Sequence, residues 1–213
     1  AISIVDPELM VSIPPRFTAY QGFDAFFHAA EGYIANCATP ISDLYALEAI
    51  RLLYKYLPAA VADGHDLEAR TNVAWASTLA GMVESTSSCT SEHSMEHAMS
   101  ALYPALPHGA GLICLSKAYF ETFVDDSKDR YMKMAEVMTS EPAQQAGDFV
   151  DALVKMQKAC GMDQLKLSDW GLKEEDLPKM VQNAKATMGG LFQLDPRMLT
   201  DDEILAIYKK SYR

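Results

Sequence analysis

The sequence predicts an all-α fold. Apolar residues recur at helical spacing, as in Leu44, Leu47, Ile50, Leu53 and Leu57. Helix start and stop residues punctuate the chain at helix-length intervals, among them Thr39-Pro40, Gly161, Gly189-Gly190 and Thr200. Nowhere does an alternating, period-two strand pattern stand between turn signals. No internal repeat, low-complexity tract or linker interrupts the 213 residues, so one helical bundle spanning 1–213 is the economical expectation.

Taken in order, the opening segment with Pro7, Pro14 and Pro15 reads as loop. A helix begins near Phe17 and carries Asp24 and His28 among Phe23, Phe26, Phe27, Ala29 and Ala30, a composition that buries it on most sides. Thr39 caps the next helix with Pro40 at its first position; that helix stops at Pro58 or continues briefly to Asp63-Gly64. Helical pattern runs again from Leu67 to Tyr103 in two pieces, because the Ser/Thr-rich stretch from Glu84 to Ser91 has weak helix propensity. A break there lets the following helix aim His93 and His97 inward. Lys128 to Met138 and Ala146 to Cys160 are amphipathic, and Gly161 ends the second of them. Asp176-Leu177-Pro178 opens a helix through Met188, and Thr200-Asp-Asp-Glu203 is a capping box ahead of a last helix, Ile204 to Tyr212.

Composition removes several classes of function. A formal charge of −11 opposes nucleic-acid binding, which needs a clustered basic surface. No apolar run approaches the roughly 18 residues of a membrane span, and no basic segment followed by an apolar one marks a signal peptide. The chain begins on Ala1 rather than Met, as a processed protein or a fragment does. Its four cysteines, Cys37, Cys89, Cys114 and Cys160, lie far apart and form no CxxC pair, which suits free thiols in a reducing, cytoplasmic compartment. Cys89 stands four residues before His93, but a lone cysteine in an apolar stretch is more often packed than ligating.

The chemistry concentrates in two segments. Ser91 to Gly109 holds three of the five histidines, His93, His97 and His108. Gly22 to Glu31 supplies Asp24 and His28. Residues four apart share a helix face, so Asp24 projects with His28, and His93 with His97. His108, between Pro107 and Gly109, sits in a turn leading into the next helix. From these residues a carboxylate and three of the four imidazoles could meet at one point, a mixed N/O set without sulfur that suits Zn²⁺ or Fe²⁺, with Mn²⁺ less favoured. His65 belongs to a polar turn and reads as a solvated surface residue. The GAG after His108 lacks the third glycine and the preceding strand of a dinucleotide fingerprint. On these residues alone, a non-catalytic helical metal-binding bundle is a serious rival to an enzyme.

The segments GFDAFFHAAEGY and HSMEHAMSALYPALPHGAGL resemble the C-terminal domain of the iron-containing (group III) alcohol dehydrogenases. The family pattern is G-x-D-A-x-x-H-A-x-E, then H-x3-H, then a histidine in a P-H-G turn ahead of a helix. DPELM and PPRF near the start and LTDDEI near the end are similar too, so the resemblance spans essentially the whole chain. It implies that Asp24, His28, His93 and His108 bind a divalent metal, Fe²⁺ first and Zn²⁺ second. It places His97 beside the metal and the nicotinamide, in a catalytic or substrate-contacting role.

The same resemblance implies an NAD(P)-dependent alcohol dehydrogenase acting on a small alcohol or aldehyde. Its N-terminal nucleotide-binding domain, the glycine-rich α/β half, is a partner not represented in these residues, and homo-oligomerisation is compatible with the reading. The helical half taken alone is expected to bind metal without turning over. Related alternatives are a zinc-dependent polyol dehydrogenase or a dehydroquinate-synthase-like enzyme. From a different class comes a non-enzymatic helical metal-binding module.

Overall fold

A computed structural model describes residues 2–212. Nine α-helices carry the fold among these residues, with no strand: α1 Pro15–Ile34, α2 Pro40–Ala62, α3 Leu67–Thr86, α4 Ser91–Leu102, α5 His108–Thr122, α6 Lys128–Thr139, α7 Gly147–Ala159, α8 Leu177–Met188 and α9 Asp201–Ser211. The expected elements are all present. The predicted break in the Ser/Thr-rich stretch falls between Thr86 and Ser91.

α1 is the axis of the molecule. It packs on α2, α3 and α5, and its Phe23, Phe26 and Phe27 are fully buried. Phe26 stacks on Phe149 of α7 and Phe27 on Phe120 of α5, so one aromatic seam joins three helices. Around this axis α1, α2 and α3 form one group. α4, α5, α8 and α9 form another, and α6 and α7 close the side between α2 and α5. Among the described residues no helix is long and apolar enough to cross a membrane.

Local chemistry sets the helix ends. Thr39 and Ser42 exchange the two hydrogen bonds of a capping box at the start of α2. The helix then runs through Pro58 to Ala62, the longer of the two predicted endings, and the Asp63 N–H closes its last turn on the Ala59 carbonyl. Thr200 and Glu203 form the second capping box, as expected. Gly161, with φ at +68°, ends the turn after α7 in a conformation that side-chain-bearing residues avoid.

One expected core position is corrected. Leu44, counted in the apolar stripe of α2, is 71% exposed, whereas Ile50, Leu53 and Leu57 of the same stripe are buried. Leu44 lies near the start of α2, between the buried positions Ser42 and Ala46.

Candidate metal centre

α1, α4 and α5 bring the predicted residues to one place. Asp24 lies mid-way along α1, His93 in the first turn of α4, and His108 is the first residue of α5. Asp24 Oδ1 is 3.3 Å from His93 Nε2 and 3.3 Å from His108 Nε2. One donor atom from each of these three residues falls within 4.8 Å of the others, a grouping able to hold a metal ion.

His28 stands beside this trio. Its ring centroid is 4.1 Å from that of His93, and its Nδ1 is 3.4 Å from Asp24 Oδ1. Nδ1 also hydrogen-bonds the Asp24 carbonyl at 3.0 Å, which leaves Nε2 as the free ring nitrogen, 3.6 Å from Glu84 Oε2. His97, four residues after His93, is nearer to His108, with ring centroids 5.2 Å apart, and its Nδ1 lies against Met188 Sδ. With Glu96 and His108 it makes a second grouping of donor atoms. The structure therefore gathers all five predicted residues. Asp24, His93 and His108 are the tight trio, and His28 and His97 flank it.

Two residues to which the sequence reading gave no role complete the site. His93 Nδ1 hydrogen-bonds Glu31 Oε1, and His108 Nδ1 hydrogen-bonds Glu96 Oε2; both carboxylates are fully buried. Each bond fixes a ring and turns its Nε2 toward Asp24. Carboxylate–histidine pairs of this kind orient metal-ligating imidazoles and raise their basicity. A signal for both was present: Glu31 lies seven residues after Asp24, and Glu96 three after His93, each on the helix face that carries the histidines.

The bracing carboxylates are themselves held. Glu31 Oε2 accepts from the Thr90 N–H and hydroxyl, both at 2.8 Å, and Ser100 donates to Glu96. Thr90 is the N-cap residue of α4, but its hydroxyl goes to Glu31 rather than to its own helix. Asp195, 104 residues away in sequence, takes over that end: its Oδ1 accepts from the Ser91 N–H at 3.0 Å and from the Tyr119 hydroxyl at 2.9 Å. Burial pushes the Asp195 carboxyl up to about 7. Glu92 is also buried, with neither carboxylate oxygen hydrogen-bonded; burial, then Glu31 nearby, pushes its carboxyl well above the ordinary range.

Two glycines make the assembly sterically possible. A Cβ on Gly109 would stand 2.2 Å from the Tyr20 carbonyl oxygen, so α5 starts in direct contact with the α1 backbone. A Cβ on Gly111 would stand 2.6 Å from a Glu96 carboxylate oxygen. The GAG after His108 thus seats the histidine over α1 and leaves room for the carboxylate that orients it.

Electrostatically the site is an anion-rich pocket closed by imidazoles. Burial opposes ionisation of Asp24, yet hydrogen bonds from His108 and His93 hold its carboxyl well below the usual carboxylate range. Burial alone would depress His93, but Glu31 and Asp24 outweigh it and raise the imidazole well above its ordinary value. His108 is raised to about 9 against its own burial, by hydrogen bonds to Asp24 and Glu96. His97 goes the other way: burial, then the neighbouring charge of His108, lowers it. Three carboxylates therefore draw positive charge to one point, where protons on His93 and His108 and a divalent cation are alternatives. This donor set fits a borderline divalent ion such as Fe²⁺ or Zn²⁺. Cys89 is buried and its thiol is pushed well up by burial and by Glu31, so it is packed rather than poised to ligate.

The fold recurs in solved alcohol dehydrogenases. The archaeal halo-thermophilic Red Sea brine pool alcohol dehydrogenase superposes with a TM-score of 0.92 at 32% identity, over 97% of this chain and 53% of that one. A 1,3-propanediol oxidoreductase superposes at 0.91 and 33% identity, over 97% of this chain and 55% of that one. Among relatives in sequence, the 1,3-propanediol dehydrogenase of Klebsiella pneumoniae is 34% identical over 100% of this chain and 55% of its own length. The NAD-dependent methanol dehydrogenase of Bacillus methanolicus is 32% identical over 99% and 55%. The chain spans about half the length of the curated relatives it matches. The profile described as "Fe-containing alcohol dehydrogenase family, C-terminal" matches residues 18–212, and the chain belongs to that family as its C-terminal, all-α domain.

Proposed function

We propose that this chain is the metal- and substrate-binding half of an NAD(P)-dependent alcohol dehydrogenase, with the nucleotide-binding half as its partner. The observation that carries the reading is the convergence of Asp24, His93 and His108 with His28 alongside, the two orienting imidazoles being braced by buried Glu31 and Glu96. Family membership and the dehydrogenase relatives support it.

In this reading Asp24, His28, His93 and His108 hold one divalent ion, Fe²⁺ ahead of Zn²⁺. When bound, that ion supplies Lewis acidity toward the oxygen of a small primary or secondary alcohol, and the nicotinamide accepts the hydride. Asp24 offsets the positive charge, while Glu31 and Glu96 keep the Nε2 atoms of His93 and His108 aimed at one point. His97, which burial makes less basic, relays the alcohol proton at a ring nitrogen or shapes the pocket. The helices behind the site keep water from the buried carboxylates. Because hydride transfer needs the nicotinamide positioned against the alcohol, the chain alone binds metal but does not turn over.

Elemental analysis of the purified chain beside His108→Ala tests this reading. About one Fe or Zn per chain, lost in the variant, is the expected result. Equal, metal-free results for both after reconstitution with Fe²⁺ and with Zn²⁺ would overturn it. So would robust NAD(P)-dependent alcohol oxidation by these residues alone, for the division of labour.

A further inference from the structure

A cleft of about 350 Å³ runs between α1 and α3 and opens on the metal centre; Gln21, Asp24, His28, Ser77 and Glu84 line it. Glu84 is its outer polar wall. The side chain is 52% exposed, and its Oε2 is 3.6 Å from His28 Nε2. Among the described residues Glu84 makes no ion pair with Lys or Arg, and neither residue type lines the cleft. Behind the mouth stand Asp24 and the buried carboxylates of Glu31 and Glu96. Among the described residues that line the cleft, the one basic group is the His28 imidazole, which faces Asp24 and Glu84.

We infer that Glu84 selects the substrate by charge: the cleft admits alcohols whose far end is cationic ahead of neutral ones, and disfavours alcohols whose far end is a non-coordinating anion such as a sulfonate. The inference rests on the metal-site reading above and adds to it the chemical class of the ligand. The physical basis is direct. With a divalent ion held by neutral imidazoles, Asp24, Glu31 and Glu96 more than offset its charge, and among the described residues Glu84 faces only the His28 ring. An ammonium group therefore meets net negative charge, while an anionic group meets like charge and no Lys or Arg. Solvent and salt screen a half-exposed carboxylate, so the preference expected is about tenfold rather than the much larger factor of a buried pair. Discrimination of this kind comes as much from repulsion of the wrong ligand as from attraction of the right one.

The test uses the cobalt-loaded chain, whose visible absorption bands shift when an alcohol reaches the ion. Three probes are titrated: 3-amino-1-propanol, 1-butanol and 3-hydroxypropane-1-sulfonate, whose sulfonate is a poor ligand for cobalt. The wild type is expected to bind the amino alcohol about tenfold tighter than butanol, and the sulfonate more weakly than butanol. Glu84→Gln should flatten the order, and Glu84→Lys should reverse it, with cobalt content unchanged in both. An identical order in wild type and Glu84→Gln, with cobalt bound, would overturn the assignment of Glu84 and leave the metal site standing. No cobalt uptake by the wild type would overturn the metal reading itself, and this inference with it.

Discussion

His93 and Glu31 lie 62 residues apart in sequence, yet the ring of one hydrogen-bonds the carboxylate of the other where neither reaches solvent: His93 is 2% exposed and Glu31 0%. That bond aims Nε2 of His93 at Asp24. Replacing Glu31 by Gln keeps its shape and an acceptor for Thr90 but removes the charge that raises the basicity of His93. Affinity for Zn²⁺ or Fe²⁺ is expected to fall roughly 10–100-fold. Competition titration against a chelator measures it, and an affinity equal to wild type would show that Glu31 serves only the packing.

His108→Ala removes a donor and leaves Glu96 buried with Ser100 as its remaining partner. Besides losing the ion, the variant should be destabilised by about 1–3 kcal/mol, the cost of an under-satisfied buried polar group. Urea unfolding of both metal-free proteins reads this difference, and a midpoint within error of the wild type would contradict it.

Protonation of the metal-free site gives a definite pH dependence. The His108 pKa is raised from 6.5 to about 9, and that of His93 is raised as well. A raised folded-state pKa means stability that is fully present below the unfolded value and is lost as pH rises through the folded one. The metal-free chain should therefore weaken from about pH 6.5 to beyond pH 9, whereas the metal-loaded chain should not. Asp24 acts at the other end: with its pKa depressed, its contribution is present above the unfolded value and fades only in strong acid. Near pH 7, metal uptake should release about two protons per ion, from His93 and His108. Proton release measured with an indicator dye in weak buffer, repeated at about pH 10 where the share from His108 should largely vanish, checks the sign.

The glycines separate steric from conformational effects. Gly111→Ala drives a methyl into Glu96 and should cost about 1–3 kcal/mol together with much of the metal affinity. Gly109→Ala meets backbone that cannot step aside and should cost more. Gly81→Ala, on the exposed side of α3 with nothing within 4 Å of the new carbon, should instead stabilise by about 0.5–1 kcal/mol. Thermal midpoints of the three variants rank these effects, and destabilisation by Gly81→Ala would refute the account of that position.

Much of this was legible in the residues. The helix boundaries came from caps and breakers whose chemistry is local, as Thr39-Ser42 and Thr200-Glu203 show. Asp24, His28, His93, His97 and His108 stood out because imidazoles and a carboxylate at helical spacing in apolar surroundings are costly without a purpose. What escaped was what depends on distant packing. Leu44 has the right spacing but lies in a turn of α2 whose buried positions are Ser42 and Ala46. The capping of α4 by Asp195 has no local trace, since the two meet only once the fold is complete. Glu31 and Glu96 were readable from face periodicity, but a glutamate at such a position is more often solvated, and only burial shows otherwise.

The bracing of the two imidazoles by interior carboxylates also bears on which cation a cell would install. Donors held in place before any ion arrives are not remodelled around a favourite, and a nitrogen-and-oxygen pocket of this kind follows the general affinity order of first-row metals, in which Zn²⁺ outranks Fe²⁺, so that iron prevails only where it is in excess. Occupancy would then record supply: protein made in iron-rich and in zinc-rich medium should emerge carrying different ions on the same scaffold. Choice of metal would become a property of the growth environment as much as of the chain.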